Sequence, residues 1–162
     1  MLAVMVVGLS GCFTSETPLI SAEDADFPFE TFTYREVSAD KLITMVREGD
    51  AYLIEAPDID GRLEIRLMDI GDGLYLAQAH GEEDGTVSLL YSVLKVDFEK
   101  RTAESYLAVA DEKFATKGLR QCDDGKICID DLDVYLELAR RSITAGDEPD
   151  VTYKLVATNP SR

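Results

Sequence analysis

The sequence predicts an α+β fold, in which a C-terminal α-helix packs on an antiparallel β-meander of six to eight strands that is open or closed into a barrel. Two observations carry this prediction. Turn signals recur about every 12 residues, and the segments between them alternate apolar and polar residues. This alternation is typical of strands with one buried and one solvent-exposed face. Near the C-terminus the apolar residues recur with helical spacing instead. The length of 162 residues suits one domain.

Glycines supply the turn signals. Asp-Gly favours tight hairpins because Gly adopts positive φ at no steric cost. A further turn of this kind is expected at Glu48-Gly49-Asp50. The Asp-Gly pairs between apolar runs are Asp60-Gly61, Asp72-Gly73, Asp84-Gly85 and Asp124-Gly125.

The strands of the meander follow from the alternation between these turns. In one of them Leu63, Ile65 and Leu67 share a face, while charged residues alternate with them. The segment 41–47 is rich in β-branched residues, which favours a strand over a short helix. The other strands are placed near 31–37, 51–57, 62–69, 73–80, 86–98 and 102–109.

The C-terminal third changes character. One helical turn is expected at 111–116, a small hairpin at 119–129 and a helix at about 131–144, with Asp130 as N-cap and Gly146 beyond its end. A final run at 151–156 could return as a closing strand. The apolar helix face, expected to pack on the sheet, consists of Leu132, Tyr135, Leu136, Ala139 and Ile143.

The first eleven residues are uncharged and mostly aliphatic, and Cys12 follows them in the motif Leu9-Ser10-Gly11-Cys12. Eleven residues are too few to span a bilayer, which needs about 20, but they suit the apolar part of a signal peptide. The motif resembles the lipobox of bacterial lipoproteins. The resemblance implies that residues 1–11 are a signal peptide and that Cys12 receives a lipid, which anchors the protein in a membrane of the cell envelope. The residue after Cys12 is Phe13 and not Asp. For this reason the resemblance favours the periplasmic face of the outer membrane over the inner membrane as the location of the protein.

Residues 12–30 are predicted to be a flexible tether between the lipidated Cys12 and a single domain at 31–162. The segment is rich in Ser, Thr, Asp and Glu and shows neither helical nor strand periodicity. Phe27-Pro28-Phe29 is less typical of a linker and is expected to dock on the edge of the domain.

Three cysteines are an odd number for an exported protein. If Cys12 carries lipid, Cys122 and Cys128 remain as a pair on the two arms of the predicted hairpin, where a disulfide is sterically feasible. A redox-active pair or metal thiolates are less favoured, because the spacing is not Cys-x-x-Cys.

Charge and rare residues narrow the function classes. Lys and Arg total 16 against 32 Asp and Glu, a net charge of −16, which argues against nucleic acid as a partner. With one His and no Trp, a His-rich metal site is excluded, and a His-based catalytic triad would have to use His80. The acidic turns do not match the ligand spacing of a calcium loop. We therefore expect no metal, no cofactor and no catalytic residues.

Acidic residues cluster at the start of the predicted helix. They are a candidate surface for an envelope protein that carries a basic patch, or simply a solvated helix N-terminus. The cluster consists of Asp123, Asp124, Asp130, Asp131 and Asp133.

The sequence thus favours a lipid-anchored envelope lipoprotein whose domain is a non-catalytic interaction module. The alternative is a small barrel-like carrier of an apolar ligand, and the third hypothesis is a carboxylate-based hydrolase. A continuous apolar cavity would favour the carrier, a flat aromatic patch the interaction module, and a cleft with two carboxylates near His80 the hydrolase.

Overall fold

A computed structural model describes residues 13–55, 62–83, 86–107, 117–122 and 125–160. Within these ranges the chain forms eleven strands and one helix. They are β1 (Phe13–Thr14), β2 (Phe29–Glu36), β3 (Lys41–Glu48), β4 (Ala51–Glu55), β5 (Arg62–Gly71), β6 (Leu74–Glu83), β7 (Thr86–Asp97), β8 (Thr102–Tyr106), β9 (Leu119–Gln121), β10 (Ile127–Ile129), α1 (Leu132–Ala145) and β11 (Val151–Pro160).

Eight of the strands form a closed antiparallel barrel. Strands β2 to β8 follow one another as a meander, and β6 pairs with both β5 and β7. The predicted closing strand, β11, lies between β8 and β2 and pairs antiparallel with both. The predicted fold class is therefore confirmed, and the sheet is closed into a barrel.

The hairpins are set by glycines with positive φ. At Gly49 φ is 63° and at Gly73 it is 72°. A Cβ on Gly73 would lie 3.2 Å from the Val96 carbonyl oxygen, so space as well as conformation favours Gly there. The predicted turns at 60–61 and 84–85 and the predicted helical turn at 111–116 lie outside the described residues.

A second apolar layer covers the outer face of β6 and β7. Tyr135, Leu136 and Ala139 of α1 are buried against a cluster that includes Leu76 and Val93. The predicted apolar face of the helix therefore packs on the sheet, as expected. No helix in the described part of the chain is long and apolar enough to cross a bilayer.

The start of α1 differs by one residue from the prediction. The N-cap is Asp131, whose carboxylate accepts a hydrogen bond from the Asp133 amide at 3.0 Å. Asp130 instead pairs with Arg120, at 3.0 Å between Nε and the carboxylate. Of the two adjacent aspartates, one therefore caps the helix and the other forms an ion pair. The C-cap is Gly146, as predicted, with φ of 81°.

Three short strands extend the sheet beyond the barrel. β1 pairs antiparallel with β7 and parallel with β10, and β9 and β10 form the predicted hairpin. Cys122 and Cys128 form a disulfide, with Cα atoms 5.6 Å apart. The predicted bond is therefore present, and it closes the hairpin that precedes α1.

Residues 13–30 are packed on the barrel, and the prediction of a flexible tether is wrong for them. Phe13 and Ile20 are fully buried. The side-chain oxygen of Gln78, on the outer face of β6, accepts hydrogen bonds from the backbone amides of Leu19 at 2.8 Å and Ile20 at 2.9 Å. It also accepts one from the Tyr91 hydroxyl at 3.1 Å. Composition suggested a linker because the few apolar residues that anchor this segment are widely spaced.

Gln78→Leu removes the acceptor shared by three donors. Because buried donors left without a partner cost about 1–3 kcal/mol, we expect the free energy of unfolding to fall by about that amount. Urea denaturation followed by circular dichroism measures the change. The matched control is Gln121→Leu, which makes the same substitution at an exposed site and should change stability by less than about 0.5 kcal/mol. Equal effects of the two substitutions would show that Gln78 does not hold the segment.

Candidate functional site

The barrel encloses a cavity of about 280 Å³. Its walls are alternate, inward-facing residues of the barrel strands, and apolar side chains dominate them. The inward-facing set is Phe32, Tyr34, Met45, Ile54, Ile65, Leu67, Tyr75, Ala77, Ser92, Leu94, Val96, Ala103, Ser105, Tyr153 and Leu155.

The cavity is present because the two sides of the barrel carry side chains of different size. Ala77 of β6 lies directly opposite Ser92 of β7 in the strand register. The neighbouring strand β8 contributes Ala103 and Ser105 to the lining. The other side, in β2 to β4, carries larger side chains, which do not reach across the space that these small residues leave. Eight-stranded barrels are just wide enough to be filled by side chains or to hold one small ligand.

Aromatic rings form the larger wall. The rings of Tyr34 and Tyr153 meet edge to face, with centroids 4.9 Å apart. Phe32 packs against Tyr34 at 6.2 Å and against Tyr52 at 5.1 Å. These contacts fix the rings by their mutual packing, so the wall is preformed.

The segment before β2 borders the cavity at the end where β7 turns into β8. Pro28, Phe29 and Phe98 line the cavity there, and the rings of Phe29 and Phe98 lie 5.9 Å apart. The Tyr52 hydroxyl donates a hydrogen bond to the Phe29 carbonyl at 2.6 Å. Phe27 packs on Tyr52, with ring centroids 5.3 Å apart. The predicted docking of Phe27-Pro28-Phe29 is therefore confirmed, and this segment forms part of the cavity rim.

Asp97 is the only charged residue among the described residues that line the cavity. Asp97, at the rim, pairs with exposed Lys100 at 2.8 Å. Among the described residues that line the cavity, none is Lys, Arg or His. The site therefore offers a ligand no positive charge on its walls.

The polar residues of the lining are three tyrosines together with Ser92, Asp97, Thr102 and Ser105. Burial, together with the nearby Glu36 carboxylate, raises the pKa of Tyr153 to about 12. Burial also raises the pKa of Tyr34, and Tyr153 and Glu36 add to the rise. Burial, with Asp69 and Asp26 nearby, raises the pKa of Tyr75. These phenols stay neutral at physiological pH, so they are hydrogen-bond donors.

The predicted acidic cluster is only partly assembled. Asp123 and Asp124 lie outside the described residues. Asp131 caps α1, and Asp130 is paired with Arg120, which also binds Glu16 at 2.7 Å. Two of the five acids therefore already have partners within the chain, which leaves less charge for an external partner than the sequence suggested.

His80 lies on β6, with its Nδ1 atom 3.9 Å from the Glu64 carboxylate. Its side chain is 40% exposed, on the outer surface of the barrel. In the part of the chain that the structure describes, no three His, Cys, Asp or Glu side chains form a group that could hold a metal ion. Cys12, the predicted lipid attachment site, lies outside the described residues.

The cavity itself was not identified from the sequence, although its signal is present there. Ala77, Ser92, Ala103 and Ser105 are small residues at inward positions of adjacent strands. Each is unremarkable alone, and only the strand register brings them to one side of a barrel.

The buried tyrosines predict that the fold is sensitive to alkali. The ordinary pKa of Tyr153 is 10.0 and the folded value is about 12, so folding favours the neutral phenol. That stabilisation is complete below the unfolded pKa and is lost as the pH rises through the folded pKa. We expect the urea midpoint of the unchanged protein to fall more than that of Tyr153→Phe between about pH 9 and pH 12. Circular dichroism at each pH measures both, and equal falls would contradict the prediction.

The chain was compared with protein-family models, with curated proteins and with solved structures. No family model matches it, and neither search found a significantly similar protein or structure.

Proposed function

We propose that this protein is a small β-barrel binding protein that holds a small, largely apolar molecule inside its barrel. The observation that carries the proposal is the apolar cavity of about 280 Å³ between preformed walls. Small-molecule sites have volumes of roughly 300–1,000 Å³ and are lined mainly by apolar and aromatic side chains with a few polar groups. The barrel fits this description at the lower end of the size range.

Packing energetics support the proposal. Protein interiors are normally packed as densely as organic crystals. Enclosed apolar cavities lower stability by roughly 24 cal/mol per Å³. For about 280 Å³ this amounts to several kcal/mol as an upper estimate, since the cavity is open at its rim. That is a large part of the about 5–15 kcal/mol that stabilises a whole domain. A ligand that fills the space regains these contacts.

The cavity favours a carrier of an apolar ligand over a non-catalytic interaction module, which was the first expectation from the sequence. The acidic surface proposed for a protein partner includes Asp130 and Asp131, and both carboxylates are engaged within the chain. The hydrolase has the least support, because His80 faces Glu64 on the outer surface and not in a cleft with two carboxylates.

A lipid on Cys12 would hold the barrel at a membrane of the cell envelope. Cys12 directly precedes Phe13, and Phe13 is buried in the layer beside β7. The anchor would therefore place the barrel at the lipid surface instead of at the end of a flexible tether. A carrier of apolar molecules benefits from this position, because such molecules concentrate in the membrane.

Ala103→Leu tests the cavity as the binding site. The larger side chain projects into the cavity, and we expect it to weaken binding of toluene at least tenfold while leaving stability unchanged or slightly higher. Binding is measured by toluene-induced shifts of amide signals in NMR spectra. Thr152→Leu is the matched control, because Thr152 lies on the outer face of β11, next to cavity-lining Tyr153. Absence of toluene binding, or equal binding by both variants, would be evidence against the proposal.

Cys12→Ala tests the anchor. In a bacterial host that processes lipoproteins, we expect the unchanged protein in the membrane fraction and the variant in the soluble periplasmic fraction, because stable anchoring requires the lipid. Cell fractionation with immunoblotting measures the distribution. A variant that stays with the membrane at the level of the unchanged protein would contradict lipid anchoring at Cys12.

A further inference from the structure

Three tyrosines of the cavity lining, Tyr34, Tyr75 and Tyr153, have hydroxyls without a hydrogen-bond partner among the described residues, and two of them adjoin in one part of the cavity. Tyr34 and Tyr153 both line it, and their rings are in contact. Among the described residues, neither hydroxyl has a hydrogen-bond partner, whereas the Tyr52 hydroxyl donates to Phe29 and the Tyr106 hydroxyl to Glu104. Among the described residues only the Tyr135 hydroxyl is fully buried without a partner, so the hydroxyls of Tyr34 and Tyr153 are accessible. They are therefore free to donate to a ligand that accepts a hydrogen bond.

The charges around these hydroxyls determine which acceptor is compatible. Glu36 follows Tyr34 on β2 and pairs with Tyr153 in the strand register. Its negative charge acts on both phenols and contributes to their raised pKa values. A ligand carboxylate bound at the same hydroxyls would approach Glu36, and no Lys, Arg or His among the described lining residues would compensate its charge. An uncharged acceptor avoids this repulsion and the loss of hydration that a buried anion suffers.

We infer that the barrel selects small, uncharged apolar molecules that carry a hydrogen-bond acceptor, such as a ketone oxygen, and that the hydroxyls of Tyr34 and Tyr153 bind this acceptor. The inference rests on the proposed function, since it requires that the cavity binds a ligand. It predicts a preference for ligands with a hydrogen-bond acceptor, which a purely apolar cavity would not show. It also predicts exclusion of molecules that carry a carboxylate.

Three probes of nearly the same shape and size test the inference. They are acetophenone, in which the side group is a carbonyl, α-methylstyrene, in which a methylene replaces the oxygen, and benzoate, which carries a negative charge. Dissociation constants are measured by NMR titration at neutral pH. We expect acetophenone to bind about 2- to 10-fold more tightly than α-methylstyrene, the range expected of one net hydrogen bond. Benzoate should bind at least tenfold more weakly than acetophenone.

Variants identify the groups responsible. In Tyr34→Phe combined with Tyr153→Phe, acetophenone and α-methylstyrene should bind alike, because only the hydroxyls are removed. Tyr106→Phe is the control, since its hydroxyl bonds to Glu104 on β8 and not to a group in the cavity. It should keep the preference for acetophenone. Thermal denaturation confirms that each variant is folded.

The outcomes distinguish failure of this inference from failure of the proposed function. If α-methylstyrene binds as tightly as acetophenone, or if the preference survives loss of both hydroxyls, the cavity binds apolar molecules but the inference is wrong. If benzoate binds as tightly as acetophenone, selection against anions is wrong. If none of the three probes binds, the proposed function itself is contradicted, and the inference with it.

Discussion

Closure of the barrel by β11 is the constraint on which the rest of the structure depends. The meander from β2 to β8 has two free edges, and β11 pairs with both of them. Closure satisfies the backbone groups of these edges and prevents edge-to-edge association. It also requires the chain to leave the barrel after β8 and to return, and the excursion contains β9, β10 and α1. The enclosed cavity exists only because the ring of strands is complete.

The outer layer compensates for the loosely filled interior. α1 and the segment before β2 cover β6 and β7 from outside with an apolar cluster that includes fully buried Phe13, Ile20 and Tyr135. Gln78 joins this segment to β6 and β7 through three hydrogen bonds to one oxygen. The strands that carry small residues inward therefore pack tightly outward, which provides stability while the cavity stays unfilled by side chains.

The same segment joins the candidate lipid attachment site to the rim of the cavity. It begins next to Cys12, crosses the outer face of the barrel and ends at Phe29 on the cavity rim. If Cys12 carries a lipid, the chain between the membrane and the rim is a packed structural element. The orientation of the barrel on the membrane would then be restricted by residues 13–29, and the rim would stay at a limited distance from the lipid surface.

The sequence by itself determined the local features. Alternation placed Ile65 and Leu67 on the inner face of β5, apolar spacing defined α1, and the hairpin indicated the disulfide between Cys122 and Cys128. These features depend on neighbours within a few residues or on one turn. Tertiary structure decided that residues 13–30 are packed, that Asp131 and not Asp130 caps the helix, and that small side chains from three strands leave a cavity. Each of these depends on contacts between different elements of the fold, which periodicity and composition do not encode.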